Sequence, residues 1–172
     1  MSTDILVLTG PESCGKSTLA QKLSEHFDAP LVQEASRDYL SNQSSYQEAD
    51  LLHITKQQLE IEQAALSGAP DKLICDTDLL VIIIWSEVKY GRCDAWIINA
   101  FEQSQQAAST KRHYLLCDYH VPWQPDPLRE NPDNRDELFE LYLTKLKHYD
   151  LNYTIVKGDP EERLRQVVAT FV

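Results

Sequence analysis

The string Gly10-Pro-Glu-Ser-Cys-Gly-Lys16-Ser17 constrains this chain more than any other feature. It fits GxxxxGK[ST], with Thr18 continuing it. An apolar run ends just before it at Thr9, and from Lys16 onward Leu19, Leu23 and Phe27 recur at helical spacing. A glycine-bearing turn from strand to helix points successive backbone N–H groups inward at a helix N-terminus, where phosphate oxygens bind. The pattern predicts that Gly10, Ser13, Cys14, Gly15, Lys16, Ser17 and Thr18 cradle the phosphates of ATP. Lys16 would bridge the β- and γ-phosphates and the Ser17 hydroxyl would ligate Mg2+. The plain alternative is a tight strand-to-helix turn with no ligand.

Short apolar runs alternate with longer segments of helical period, which predicts an α/β chain on a mostly parallel sheet. Five runs read as strands: Ile5–Thr9, Pro30–Glu34, Lys72–Asp76, His113–Cys117 and Tyr153–Val156. Their near-continuous apolar character suits strands buried on both faces. Helices are expected over Lys16–Phe27, Glu48–Leu66, Ala95–Ala108, Asn134–Tyr149 and Pro160–Phe171. In the last, Asp159 is the N-cap and Glu162 the capping-box partner, with Leu164, Val167, Val168 and Phe171 inward. Leu79–Trp85 is rich in isoleucine and could be a strand, but it follows the third strand directly, where a crossover helix is required. Pro122, Pro125, Pro127 and Pro132 exclude regular structure between Asp118 and Asp133 and predict a lid-like loop around residues 119–135. With 172 residues and no linker, one domain spanning residues 1–172 is expected. The architecture implied is the three-layer P-loop NTPase fold, with helices on both faces of a five-stranded sheet.

Charge and cysteine usage narrow the partners. Acids outnumber bases 27 to 16, a formal charge of −11, which argues against general nucleic-acid binding yet leaves room for a local anion pocket. Met1-Ser2-Thr3-Asp4 lacks the basic start of an export signal and the run Leu79–Trp85 is too short to span a bilayer, so a cytoplasmic protein is expected with no membrane partner. The four cysteines form no CxxC pair and suit reduced, mostly buried thiols. Cys117 and His120 have ligand-like spacing but no second pair to complete a zinc site. Composition leaves the oligomeric state open.

A nucleotide site of this class needs a carboxylate at the tip of a neighbouring strand to hold magnesium, and Asp76 ends the third run. Asp78 lies two residues on, where it could reach the metal or a substrate hydroxyl, or could simply cap the next helix. Glu34 ends the second run and would face the γ-phosphate, where an acceptor hydroxyl is held and deprotonated. Arg37 could orient that acceptor and Tyr39 could stack on a ring; alternatively Glu34 and Arg37 are a surface ion pair at a helix start. No Asn-Lys-x-Asp guanine motif occurs, and Asp76 is followed by Thr77 rather than the Glu of an oligomeric AAA-type motor. A small kinase remains.

Gly10–Leu19, Glu34-Ala-Ser-Arg-Asp-Tyr39, Cys75-Asp-Thr-Asp78 and Leu115–Asp118, followed by Val121-Pro-Trp-Gln-Pro-Asp-Pro-Leu-Arg129 and Arg135, together resemble the ribosylnicotinamide kinase domain of bacterial NadR proteins, within the P-loop nucleoside kinase-like and AAA-type ATPase group. The resemblance spans nearly the whole chain in the right order. It implies ATP-dependent phosphorylation of the ribose 5′-hydroxyl of nicotinamide riboside, a step of NAD salvage, with ATP and Mg2+ as cofactors. It further implies that Glu34 or Asp78 engages the acceptor hydroxyl, with Asp76 on magnesium. Trp123 would stack on the pyridinium ring and Asp126 would bind the ribose. Arg129 and Arg135 resemble closing-loop arginines that neutralise the transferring phosphoryl group, and Gly158 lies where this fold class usually holds adenine. Read without the resemblance, Trp123 is a loop anchor on the core and the two arginines are solvated charge.

The chain departs from that family in three places. Cys14 stands for the usual loop Ser, Pro127 for a Gly after Asp126, and Ala35 for a Tyr after Glu34, and the last two reshape the acceptor pocket. The His-x-Gly-His motif of multifunctional NadR proteins is missing. A kinase for another nucleoside or small metabolite, and an ATP-binding regulatory domain with little turnover, are the competing readings.

Overall fold

Each of the five apolar runs forms a strand in the computed structural model, which describes residues 2–41, 45–124 and 133–171. The strands are β1 (Thr3–Thr9), β2 (Leu31–Val32), β3 (Lys72–Asp76), β4 (Thr110–Cys117) and β5 (Tyr153–Val156). They form one sheet in the order β2-β3-β1-β4-β5, and every pairing is parallel. The helices are α1 (Lys16–Phe27), α2 (Ala35–Leu40), α3 (Glu48–Leu66), α4 (Leu79–Tyr90), α5 (Ala95–Gln105), α6 (Arg135–His148) and α7 (Pro160–Phe171).

Side-chain alternation along the strands splits the core into two layers. Ile5 and Val7 of β1, Leu73 and Cys75 of β3, and Tyr114 and Leu116 of β4 face a core shared with α2 to α6. Leu6 and Leu8, Ile74, and Leu115 and Cys117 face the opposite core with α1 and α7. Being buried on both faces is the reason these strands read as unbroken apolar runs. β1 lies between β3 and β4, so the chain winds one way from β1 toward β2 and the other way toward β5. A crevice opens where the direction reverses, beyond the carboxyl end of β1, and the glycine-bearing loop occupies that point.

The isoleucine-rich run is a helix. Asp78 caps it by accepting a hydrogen bond from Leu80 N–H at 3.0 Å, and Leu79 to Ile84 are all buried. Its length of 12 residues exceeds the apolar run because Gly91, at φ 70°, supplies the left-handed stop. The capping box of α7 is formed, with Glu162 N–H donating to Asp159 at 2.8 Å and Asp159 N–H to Glu162 at 2.9 Å. β2 is two residues rather than five because the chain turns into α2, a six-residue helix with no sequence expectation behind it. α5 ends at Gln105, three residues short of the expected boundary. Val168 on α7 is only partly buried, whereas Arg163 is 3% exposed and points inward. Asp126 and Arg129 lie outside the described residues.

Candidate active site

The turn between β1 and α1 is held by backbone geometry that only glycine adopts without strain. Gly10 has φ 131°, and a Cβ there would sit 2.9 Å from the Cys117 carbonyl of the adjoining strand; Gly15 has φ 85° at the helix start. The Lys16 ammonium lies across the loop, donating to the carbonyls of Gly10 at 3.0 Å and Pro11 at 2.7 Å, and stands 3.7 Å from the Cys14 sulfur. Burial works against its charge, but Cys14, Glu34, Cys117 and Asp76 outweigh burial and raise its pKa, so Lys16 is a permanent cation.

A cleft of about 290 Å3 runs from this loop across the sheet edge. Gly10, Ser13, Cys14, Gly15, Lys16, Ser17 and Thr18 line its floor. Gly158, after β5, lines one end together with Pro160 and Arg163. Glu34, Ser36 and Arg37, after β2, line the other with Val81 and Trp85 of α4 and Tyr142 of α6. The expected phosphate-loop residues, Gly158, Glu34 and Arg37 are thus brought into one cavity. Ser36 donates to one Glu34 oxygen at 2.7 Å and Arg37 Nε to the other at 3.3 Å, which orients the carboxylate at the cleft wall.

Asp76 ends β3 beside this floor. Burial raises its pKa, a hydrogen bond from the Ser17 side chain pulls the other way, and the nearby Glu34 charge adds to the rise. Among the described residues, one Asp76 carboxylate oxygen, Oδ1, is buried with no hydrogen-bond partner, as is the Thr9 hydroxyl at the tip of β1. A serine hydroxyl against an aspartate with one unsatisfied oxygen is a hard-oxygen donor set, so these residues fit Mg2+. Thr77 follows at φ 76°, a strained position for a β-branched residue, and strain of this kind gathers at functional sites.

Three expected site residues, Asp78, Tyr39 and Trp123, lie outside the cleft lining, and Arg135 lies against the phosphate loop. Asp78 is withdrawn from the cleft: besides capping α4 it accepts from the Tyr114 hydroxyl at 2.6 Å and faces the Arg112 guanidinium at 3.8 Å, itself paired with buried Glu62. With both oxygens engaged and 2% exposure, it cannot reach a metal or acceptor in the cleft. We therefore expect Asp78→Asn, which keeps the cap but removes the charge facing Arg112, to lower stability by about 1–3 kcal/mol. Turnover per folded molecule should stay within twofold; a 100-fold loss at unchanged stability in chemical denaturation would restore the catalytic reading. Tyr39 donates to Asp50 at 3.0 Å and stacks on His53, 6.3 Å between centroids, outside the cleft lining. Trp123 has the Arg135 guanidinium over its ring at 5.7 Å, and its neighbours Val121, Pro122 and Gln124 line the cleft instead. Arg135 itself donates to the carbonyls of Val121 at 2.9 Å and Ser13 at 3.3 Å. Gln124 N–H also donates to Ser13, at 2.9 Å, so both described ends of the proline loop are tied to the phosphate loop.

Sequence reading missed Arg163, whose guanidinium donates to the carbonyls of Cys14 at 2.5 Å, Asp118 at 2.9 Å and Gly158 at 2.9 Å. The signal was present: Arg163 precedes Val167 and Phe171 by four and eight residues, so it shares the inward face of α7. It also missed Glu12, Trp85 and Tyr142. Trp85 lies four residues after Val81 on one helix face, which points both at the cleft. Cys14, Cys75 and Cys117 are buried free thiols. Burial pushes the Cys14 thiol up, but its hydrogen bond with Cys117 and the charges of Lys16 and Arg163 prevail and hold it below the usual thiol range. Among the described residues no cluster of His, Cys, Asp and Glu forms a separate metal site, and no helix is long and apolar enough to cross a membrane.

Solved structures share this architecture. The chain aligns over 98% of its length with a NadR protein in complex with NR, at TM-score 0.71 and 17% identity, covering 48% of that longer chain. It aligns over 98% with the deoxyadenosine kinase of M. mycoides, covering 98% of that chain at TM-score 0.65 and 15% identity. The thymidylate kinase of Ehrlichia chaffeensis matches over 100% of both chains at TM-score 0.66 and 13% identity. At such identities the likeness is one of fold: a five-stranded, all-parallel P-loop α/β fold shared with nucleoside and nucleotide kinases. No curated protein sequence matches the chain. Residues 5–163 match the model of a family described as an AAA domain, and over that span, nearly its whole length, the chain belongs to the AAA domain family.

Proposed function

We propose that the protein is an ATP-dependent kinase that phosphorylates the ribose 5′-hydroxyl of nicotinamide riboside. The observation that carries this reading is the placement of an oriented carboxylate, Glu34, in the same cleft as Lys16 and Ser17 and beside Asp76. A phosphate loop alone serves many reactions; a carboxylate facing it across the cleft is what transfer to an alcohol requires.

ATP lies with its phosphates on the loop N–H groups and its base toward Gly158 and Pro160. Lys16 supplies positive charge to the transferring phosphoryl group. Ser17 and Asp76 would hold Mg2+, which would supply positive charge to the transferring phosphates. Glu34 accepts the proton of the acceptor hydroxyl as its oxygen attacks the γ-phosphorus, and ADP leaves. Ser36 and Arg37 keep the carboxylate pointed at that hydroxyl. Asp126 and Arg129 retain their proposed roles as ribose partner and closing-loop cation. The likeness to a NadR protein bound to NR supports nicotinamide riboside as acceptor. A comparable likeness to deoxyadenosine kinase, with Ala35 in place of the family's Tyr, favours a second reading with another nucleoside as acceptor.

The test is ADP formation by the purified protein with Mg-ATP, alone and with nicotinamide riboside or a panel of ordinary nucleosides. Stimulation of at least tenfold by nicotinamide riboside is expected. Preferential stimulation by another nucleoside would establish the second reading, and no stimulation by any acceptor would sink both.

A further inference from the structure

Glu34 stands where the sheet gives out. β2 is an edge strand, and its ladder to β3 ends at Val32 opposite Cys75. The same register carried on would set Glu34 opposite Thr77, where a φ of 76° has already turned β3 out of the sheet. No strand neighbour therefore fixes the backbone that carries the carboxylate. Ser36 and Arg37 orient its two oxygens, but both donors lie within three residues of it on the same short segment. Those bonds fix the carboxylate relative to its own segment and leave the segment itself to be anchored from elsewhere.

A side chain from α3 supplies the anchor. Gln58 is 2% exposed and shares the buried face of α3 with Leu51, Ile54 and Glu62. Its amide oxygen accepts from Ala35 N–H at 2.8 Å, and its amide nitrogen donates to the Gln33 carbonyl at 3.4 Å. These two backbone groups are the ones on either side of Glu34. In a parallel ladder a strand residue offers its neighbour the same pair, an N–H to the preceding carbonyl and a carbonyl to the following N–H. The Gln58 amide thus stands in for the missing strand at one residue, Glu34. A buried primary amide is unfavourable unless its groups are satisfied, and Gln58 uses both ends on the flanks of this residue. The other buried polar side chains of α3 turn elsewhere: Thr55 donates to the Leu51 carbonyl of its own helix, and Glu62 pairs with Arg112.

We infer that Gln58 is the positioning residue for Glu34: its side-chain amide holds the backbone on both sides of Glu34, so that the carboxylate meets the acceptor hydroxyl at the γ-phosphate. The brace itself is independent of the reaction, whereas its effect on turnover rests on the kinase reading. Gln58 does not line the cleft, so it acts through Glu34. Placement matters here because a displacement of about 1 Å at a reacting group can lower a rate by about a hundredfold. An amide that merely satisfied two buried backbone groups would instead affect stability and leave the transfer step alone.

Hydrogen exchange followed by NMR tests the brace without any turnover. In Gln58→Met, which keeps the side-chain length and removes the amide, the Ala35 amide should exchange at least tenfold faster. The Ile74 amide, which donates to the Pro30 carbonyl, should stay within twofold of wild type. Unchanged exchange at Ala35, or equal acceleration at both amides, would overturn the inference. Kinetics with Mg-ATP and the acceptor that the wild-type protein uses then test the placement of Glu34. Gln58→Met should lower kcat roughly 10- to 100-fold with the KM for ATP within twofold. Added to Glu34→Gln it should lower kcat by less than a further twofold, since the brace has nothing to place once the carboxylate is gone. Gln58→Glu, which keeps the length and the acceptor for Ala35 N–H, should hold kcat within fivefold of wild type. Should Gln58→Met not fold, Gln58→Asn, whose amide falls one methylene short, takes its place in both measurements. Full multiplication of the two losses in the double variant would overturn the positioning role and keep the kinase reading. No acceptor-stimulated turnover by the wild-type protein, with exchange at Ala35 still accelerated in the variant, would overturn the kinase reading and keep the brace.

Discussion

Lys16→Ala is expected to lower kcat/KM by roughly a thousandfold, or about 4 kcal/mol of transition-state stabilisation, and to weaken binding of an ATP analogue by about a hundredfold. The ammonium is the cation that the loop itself supplies to the cleft floor, and its charge is secured by Cys14, Glu34, Cys117 and Asp76. Phosphoryl transfer gives the protein little covalent work, so charge and position make most of the rate. The fold does not depend on this side chain: its partners are the carbonyls of Gly10 and Pro11 and the Cys14 sulfur, all within the loop. Thermal denaturation should therefore shift by no more than about 3 °C. Lys16→Arg should rescue little, because a planar fork cannot stand in for a compact point charge in a tight loop. Titration calorimetry and a coupled ADP assay measure both effects. An affinity within twofold of wild type would mean that the turn is not a phosphate cradle.

The second large effect is on stability. Arg163→Met, which keeps the length of the side chain and removes its donors, should cost about 3–5 kcal/mol and lower Tm by on the order of 10 °C. Three buried or half-buried carbonyls lose a charged donor at once: Cys14 in the phosphate loop, Asp118 after β4 and Gly158 after β5. The guanidinium is the clamp that joins the floor of the cleft to its Gly158 end. Weakened ATP-analogue binding in the still-folded fraction is the accompanying expectation. A Tm change under 2 °C in differential scanning calorimetry would show that water replaces the arginine without loss and that the clamp is incidental.

The nucleotide half of the site was legible because it depends on short-range chemistry. Gly10, Gly15, Lys16 and Ser17 are bound to one another by the loop's own backbone, so their spacing in sequence is their spacing in space. Asp76 was legible for a related reason: a carboxylate that ends a buried strand beside β1 has to emerge next to the loop, and β1 and β3 pair with Leu8 opposite Asp76. Asp78 shows where that reasoning stops. Two residues of chain separate it from Asp76, but the turn through Thr77 directs it inward to Tyr114 and the Arg112–Glu62 pair. The partners that hold it come from β4 and α3, which no local pattern joins to it.

The far end of the cleft was harder to read for the same reason. Trp123 and Tyr39 looked available because they flank polar, turn-rich sequence, while Trp85 sat in an apolar run and read as core. Which aromatic meets the cleft depends on how α4 and α6 rotate as they pack over the sheet, and that rotation is set by contacts with many residues far away in sequence. Arg163 was hidden on an apolar stripe because its three acceptors come from three different loops.

The amino-acid sequence by itself determined the strands, the long helices with their caps, the parallel sheet they imply, and the phosphate loop, since each follows from hydrophobic period, capping chemistry or glycine φ within a few residues. Only the tertiary structure decided that Asp78 is a structural cap, that Arg163 clamps the loop, and that Trp85 and Tyr142 rather than Trp123 and Tyr39 wall the far end of the cleft. Side-chain direction at the meeting point of several elements is a property of their packing, and packing is fixed by the whole core at once.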